Sequence, residues 1–176
     1  EIQGSTLSVE TLDPLIEPHL ANARKAIAEA TAEGADSSVW DSAARYATTA
    51  RMLSPDSPRP LIAMGQIAAG QRNFEAAEEH VSGALEREAG NLTALTALAR
   101  IAHRKGDDTA AELLMKEAVA ANPQSWEAYQ NLGTLQLTRS RPEEAERNLR
   151  RAASLSGGGV ADPHTALAQV YLNLEQ

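Results

Sequence analysis

The chain matches itself at a shift of 34 residues, and this period constrains its fold more than any other feature. Ala43, Ala77, Ala111 and Ala145 form one column; Ala50, Ala84, Ala118 and Ala152 form a second, seven positions on. In an alanine-rich chain a single column is weak evidence, but two complete columns in fixed phase are not. Leu61, Leu95 and Tyr129 align with them, as do Met64, Leu98 and Leu132, and then Val81, Met115 and Leu149. Pro55 and Pro123 close the period, with Ala89 and Gly157 in the proline's place. A fixed period of this size marks stacked helical units, each completing its neighbour's core.

The stretch Ser125–Leu155 shows the unit most clearly. Tyr129, Leu132, Gly133 and Leu137 stripe one helix, Ala145, Leu149 and Ala152 a second, and the polar run 138–142 separates them. Ser140, with Glu143 three residues on, reads as a capping box that restarts the helix. Small residues at Gly65, Ala99, Gly133 and in the alanine columns remove bulk where helices cross, so that larger neighbours can interdigitate. The periodicity predicts helix pairs near 59–71 and 74–88, 92–105 and 108–121, and 126–138 and 142–155. Pro58 or Pro60 is placed to start the first of these. Upstream, helices are expected at about 18–33 and 38–53, with Trp40 in the column of Phe74. Pro14 and Pro18 argue against regular helix before that, so residues 1–17 read as a tail or linker.

These columns resemble the tetratricopeptide repeat family: a bulky residue, leucine, then glycine or alanine, followed by two alanines seven apart and a closing proline. Tyr129, Leu132, Gly133, Ala145, Leu149 and Ala152 carry the best match, and it extends over roughly 24–176. The resemblance implies an all-α, right-handed superhelical solenoid of antiparallel helix pairs. Its units fall at about 24–57, 58–91, 92–125 and 126–159, with a terminal helix at 162–176 that is either a solvating cap or a truncated unit. In that family the first helix of each unit lines a concave surface. The corresponding positions here are Arg59, Gln66, Thr96, Arg100, His103, Arg104, Gln130, Asn131, Thr134, Gln169 and Asn173. The implied function is a protein–protein interaction scaffold gripping a peptide or helix of a partner in that groove. The clamp with which some members hold a C-terminal carboxylate is absent, since its positions carry Ile62, Gln66, Ala97, Glu127 and Asn131. Arg100 and His103 stand as an isolated cationic spot.

Two other functional readings stay open: a regulatory or substrate-docking segment of a larger enzyme or membrane-anchored assembly, and a scaffold that self-associates through the unpaired terminal helix. The chain begins with glutamate rather than methionine, so a piece of a longer protein is expected. With 43% hydrophobic but only 3% aromatic residues, the core must be built from alanine, leucine and valine in closely packed helices. The net charge of −8 argues against a nucleic-acid backbone as the main ligand. No apolar run approaches a membrane span, so direct insertion is not expected. Lack of cysteine removes disulfides and thiol chemistry without choosing between cytoplasm and periplasm for a soluble chain.

Signs of catalysis are missing. His19, His80, His103 and His164 have no partners at metal-ligand spacing, and neither a phosphate-binding loop nor a nucleophile elbow occurs. Gly157–Gly159 reads as a joint, and Glu78-Glu79 and Glu143-Glu144 as solvated charge on second helices. The expectation is a protein that is not an enzyme and binds no cofactor or metal.

Overall fold

In the computed structural model the described residues are 9–31 and 37–157, with Thr165, Leu167 and Ala168. They form helices α1 (Val9–Ala30), α2 (Ser37–Leu53), α3 (Pro58–Gly70), α4 (Phe74–Arg87), α5 (Leu92–Lys105), α6 (Asp108–Ala121), α7 (Trp126–Thr138) and α8 (Pro142–Leu155). Each odd-numbered helix packs most extensively on the one that follows it, giving the antiparallel pairs that the period predicts. Contacts group the chain into two units, residues 1–89 and 90–176.

Local chemistry repeats with the same 34-residue period. The first helix of a pair starts after Ser57, Asn91 or Ser125, and each side chain accepts a hydrogen bond from the backbone N–H of Arg59, Ala94 or Ala128. Such a cap satisfies one of the four N–H groups left open at a helix start. At the turns inside the pairs α3–α4, α5–α6 and α7–α8 one residue adopts positive φ: Arg72 (63°), Gly106 (86°) and Ser140 (56°). A left-handed residue there lets the chain reverse within two or three residues.

In unit 1 the core is a stripe of Ile16, Leu20, Ala23 and Ala26 on α1, packed with Ala43, Ala47 and Ala50 on α2 and Ala63 and Ile67 on α3. Gly65 lies so close to α4 that an added Cβ would overlap Val81 Cγ2 and sit 3.1 Å from the Ala77 carbonyl oxygen. At Gly70 the Trp40 ring fills that space, with Cζ2 2.8 Å from where a Cβ would stand. In unit 2 Ala99, Ala102, Ala111, Met115, Leu132 and Leu135 form one cluster, and Leu137 and Leu167 pack on Ala145 and Leu149. A Cβ at Gly133 would meet Leu149 Cγ at 2.7 Å and the Ala145 carbonyl oxygen at 3.2 Å. The third member of this small-residue column, Ala99, shares its cluster with the unbranched Met115, whose flexible chain makes room for one methyl.

Two expectations are corrected. Helix α1 begins at Val9 and runs through Pro14 and Pro18, so the segment from 9 to 17 is helix rather than tail. Both prolines face solvent, whereas Ile16 is wholly buried and Leu20 is 3% exposed. Burying Ile16 and Leu20 contributes about 3–6 kcal/mol, against a helix-breaking cost of about 3 kcal/mol for each of the two prolines, so the burial of Ala23 and Ala26 further along the stripe is needed as well. Ser140 is not a cap. It takes the left-handed turn position, and Arg141 occupies the N-cap of α8 without a side-chain cap hydrogen bond.

Candidate functional site

The candidate surface in unit 2 is the outward face of α5 and α7. One side of α5 is committed to the core through Ala94, Leu95, Ala97, Ala99, Ile101 and Ala102. Spacing then places Thr96, Arg100 and Arg104 on one line along the helix, one turn apart. On α7 the same argument aligns Gln130 and Thr134, each 34 residues after Thr96 and Arg100. A hydrogen bond from Asn131 Nδ2 to Thr96 Oγ1 (3.3 Å) ties the two helices together at this level. Arg100, Arg104 and Thr134 are exposed, while Thr96, Gln130 and Asn131 are half-buried. Gln130 Oε1 is buried without a hydrogen-bond donor.

His103 is exposed but engaged: its Nδ1 lies 2.6 Å from Asp108 Oδ1. The cationic spot expected at Arg100 and His103 is therefore not isolated, because the start of α6 brings a carboxylate to the end of α5. In unit 1, Arg59 is half-buried and hydrogen-bonds Glu17 of α1, which also pairs with Arg24. The Arg59 guanidinium holds the Glu17 carboxyl below its usual range, against a smaller opposing effect of burial and with help from Arg24. Gln66 is half-buried on α3. Gln169 and Asn173 lie outside the described residues.

A polar cluster that the sequence reading missed lies behind this face. Glu112 of α6 is 7% exposed, and both Arg139 and Arg141, flanking the left-handed Ser140, bond its carboxylate. Arg141 Nη1 also donates to Glu112 Oε1 at 3.0 Å, Lys116 Nζ lies 2.9 Å from the same oxygen, and Arg139 Nη1 donates to the Asp108 carbonyl at 3.2 Å. The hydrogen bond from Arg141 lowers the Glu112 pKa to about 2; burial opposes the shift and Lys116 adds to it. The same bond raises the pKa of Arg141. Beyond Arg141, Gln136 (3% exposed) donates to Glu144 Oε2 at 3.2 Å and accepts from Asn148 Nδ2 at 2.8 Å. A signal was available: Glu78, Glu112 and Glu146 also recur at the period, each immediately after a fully buried alanine.

No group of three or more His, Asp or Glu positioned to hold a metal occurs among the described residues, and no helix among them is long and apolar enough to cross a membrane. The face of α5 and α7 offers hydrogen-bond donors, acceptors and positive charge on a rigid frame, which suits it to binding.

A family model described as tetratricopeptide repeat matches residues 62–126, and a second with the same description matches 114–147. No curated protein matches the chain. Among solved structures the chain resembles TTC0263, a thermophilic TPR protein of Thermus thermophilus. The TM-score is 0.68 at 18% identity, over 90% of this chain and 82% of that one. It also resembles pilF of Pseudomonas aeruginosa, with a TM-score of 0.69 at 14% identity over 93% and 71% of the two chains. The first TPR of Spaghetti (RPAP3), bound to an HSP90 peptide, matches with a TM-score of 0.57 at 20% identity over 68% of this chain and 94% of that one. At these identities the likeness is one of fold. The matched repeats and the helix pairs together place this chain among the tetratricopeptide repeat proteins, whose fold supports protein–protein interaction scaffolds.

Proposed function

We propose that this chain is a scaffold that grips a peptide or helix of a partner protein against the first helices of its repeats, with the face of α5 and α7 as a principal contact. The observation that carries this reading is the division of labour on α5. Ala94, Leu95, Ala97, Ala99, Ile101 and Ala102 are buried in the core, whereas Thr96, Arg100 and Arg104 on the line one turn apart carry polar groups on the other side. Thr96 is already bonded to Asn131, so the two helices present one polar surface rather than two independent ones. The RPAP3 relative of this fold, bound to an HSP90 peptide, supports a peptide as the kind of occupant.

The test is to select binders from a displayed peptide library on the intact chain and measure them by fluorescence anisotropy. Thr134→Trp, a bulky change at an exposed position, is expected to weaken the selected peptides at least about tenfold, equivalent to ~1.4 kcal/mol. Lys116→Ala on α6 serves as the off-face control and is expected to leave affinity unchanged. Equal effects of the two changes would place binding on another face and overturn the reading.

A further inference from the structure

We infer that a second copy of this chain docks on the outward side of α8, through the outward side of that copy's α4. Charge is unevenly spread along the sequence. Asp and Glu outnumber Lys and Arg two to one over residues 1–89 and nearly balance them over 90–176. On α4 the core takes Ala77, Val81 and Ala84, and Glu75 and Glu79 stand one turn apart on the exposed side. On α8 the core takes Ala145, Leu149 and Ala152, and Arg147 and Arg151 stand one turn apart on the exposed side. Among the described residues neither of these glutamates forms an ion pair, and nor does Arg147. Arg151 lies over the Tyr129 ring, 5.8 Å from its centroid, which steadies the guanidinium while the residue stays exposed. Like charges four residues apart repel on a helix surface, so each line carries a cost within its own copy. Laid against each other, the two lines relieve both costs.

Four residues advance either helix by about 6 Å, so the two lines have the same spacing. In an antiparallel arrangement Glu75 meets Arg151 and Glu79 meets Arg147. The next step brings Glu143 opposite Gly83, where no side chain intervenes, and within one turn of Arg87. That order also sets the positive start of α4 beside the negative end of α8. Because the two surfaces are unlike, each end of a row still offers one of them, and association passes beyond a dimer. One helix laid on another buries less than the roughly 1,200 Å² of a stable interface, so the contact is weak and sensitive to salt. None of these residues belongs to the α5–α7 face, so peptide binding there and association through α4 and α8 are independent.

The experiment is sedimentation of the intact chain at low salt up to about 1 mM, with circular dichroism to check that every variant is equally helical. The weight-average mass of the wild type is expected to climb past twice that of the monomer, and to fall back to it in raised salt. Glu75→Arg/Glu79→Arg and Arg147→Glu/Arg151→Glu are each expected to stay monomeric, and an equimolar mixture of the two to regain the wild-type mass. Recovery on mixing cannot come from a variant that has failed to fold. A wild type that stays monomeric, association that survives raised salt, or a reversal variant that assembles alone would each overturn the inference. So would a mixture that stays monomeric. For the register, Glu75→Arg mixed with Arg151→Glu is expected to recover more mass than Glu75→Arg mixed with Arg147→Glu. An equal or reversed result overturns the antiparallel arrangement.

Discussion

In unit 1 the step from the first helix pair to the second is dry: Ile16 and Leu20 reach the cluster holding Ala63 and Ile67, and the Trp40 ring covers Gly70. The ion pairs there, from Glu17 to Arg24 and Arg59, sit at the edge with side chains 32–56% exposed. In unit 2 the corresponding step has apolar contact through Leu132 and Leu135, and adds a buried carboxylate bonded by arginines from the next turn. The same repeat is thus closed once by shape with charge only at its exposed edge, and once by shape plus a buried charge. Apolar burial tolerates changes of pH and salt, but a buried carboxylate binds its partners only while ionised and is costly to leave alone.

The sharpest break in this comparison is Glu112→Gln. It removes the nearest counter-charge of two partly buried arginines, leaving them Asp108 at 4.0 Å and Glu144 at 3.5 Å, and is expected to destabilise the α7–α8 pair by about 3 kcal/mol. Native-state hydrogen exchange on the intact chain reads it, with amides of α7 and α8 losing protection while those of α1–α3 keep theirs. Uniform loss across both units would erase the distinction. Acid should act in the same place. The Glu112 pKa is lowered from 4.5 to about 2 in the folded state. Its contribution is therefore complete above pH 4.5 and is lost as pH falls from there towards 2, by up to about 3 kcal/mol. Urea titrations across that window should show a pH dependence that Glu112→Gln flattens.

Unit 1 should respond instead to volume. Gly70→Ala drives a methyl group into the Trp40 ring and is expected to cost about 2 kcal/mol, measured by urea denaturation. Adding Trp40→Leu should recover part of that loss, a non-additivity that identifies the ring as the obstacle. Smallest are the turns, which the two units share. Gly106→Ala should cost about 1 kcal/mol, while Arg72→Gly should gain a few tenths to about 1 kcal/mol, seen as shifts in melting temperature. Ser140→Gly separates local conformation from charge: it keeps both arginines while relieving the turn.

Most helix limits were legible because alanine columns fix the crossing points, and the caps and turns fall at constant offsets from them. The six helices from α3 to α8 lie within a residue of their expected ends. The first half of helix α1 was not legible, since proline is a local signal and the burial of Ile16 is a tertiary fact. Ser140 failed as a cap for a related reason. A Ser-x-x-Glu pattern describes a helix start, but the left-handed turn recurring at Arg72 and Gly106 had prior claim on that position. Of the candidate site, residue types and helix faces were readable while pairings were not. Nothing in the sequence says that Arg59 reaches back 42 residues to Glu17, or that His103 is held by the first residue of α6.

The caps at Ser57, Asn91 and Ser125 and the turns at Arg72, Gly106 and Ser140 make each of the three repeats from α3 to α8 carry its own punctuation. Array length is then a heritable variable independent of fold. Copying residues 92–125 in tandem preserves each start, reversal and crossing point, whereas inserting any other number of residues throws the downstream alanine columns out of phase. Such a chain can grow or shrink by whole repeats through gene duplication without inventing any new structural signal.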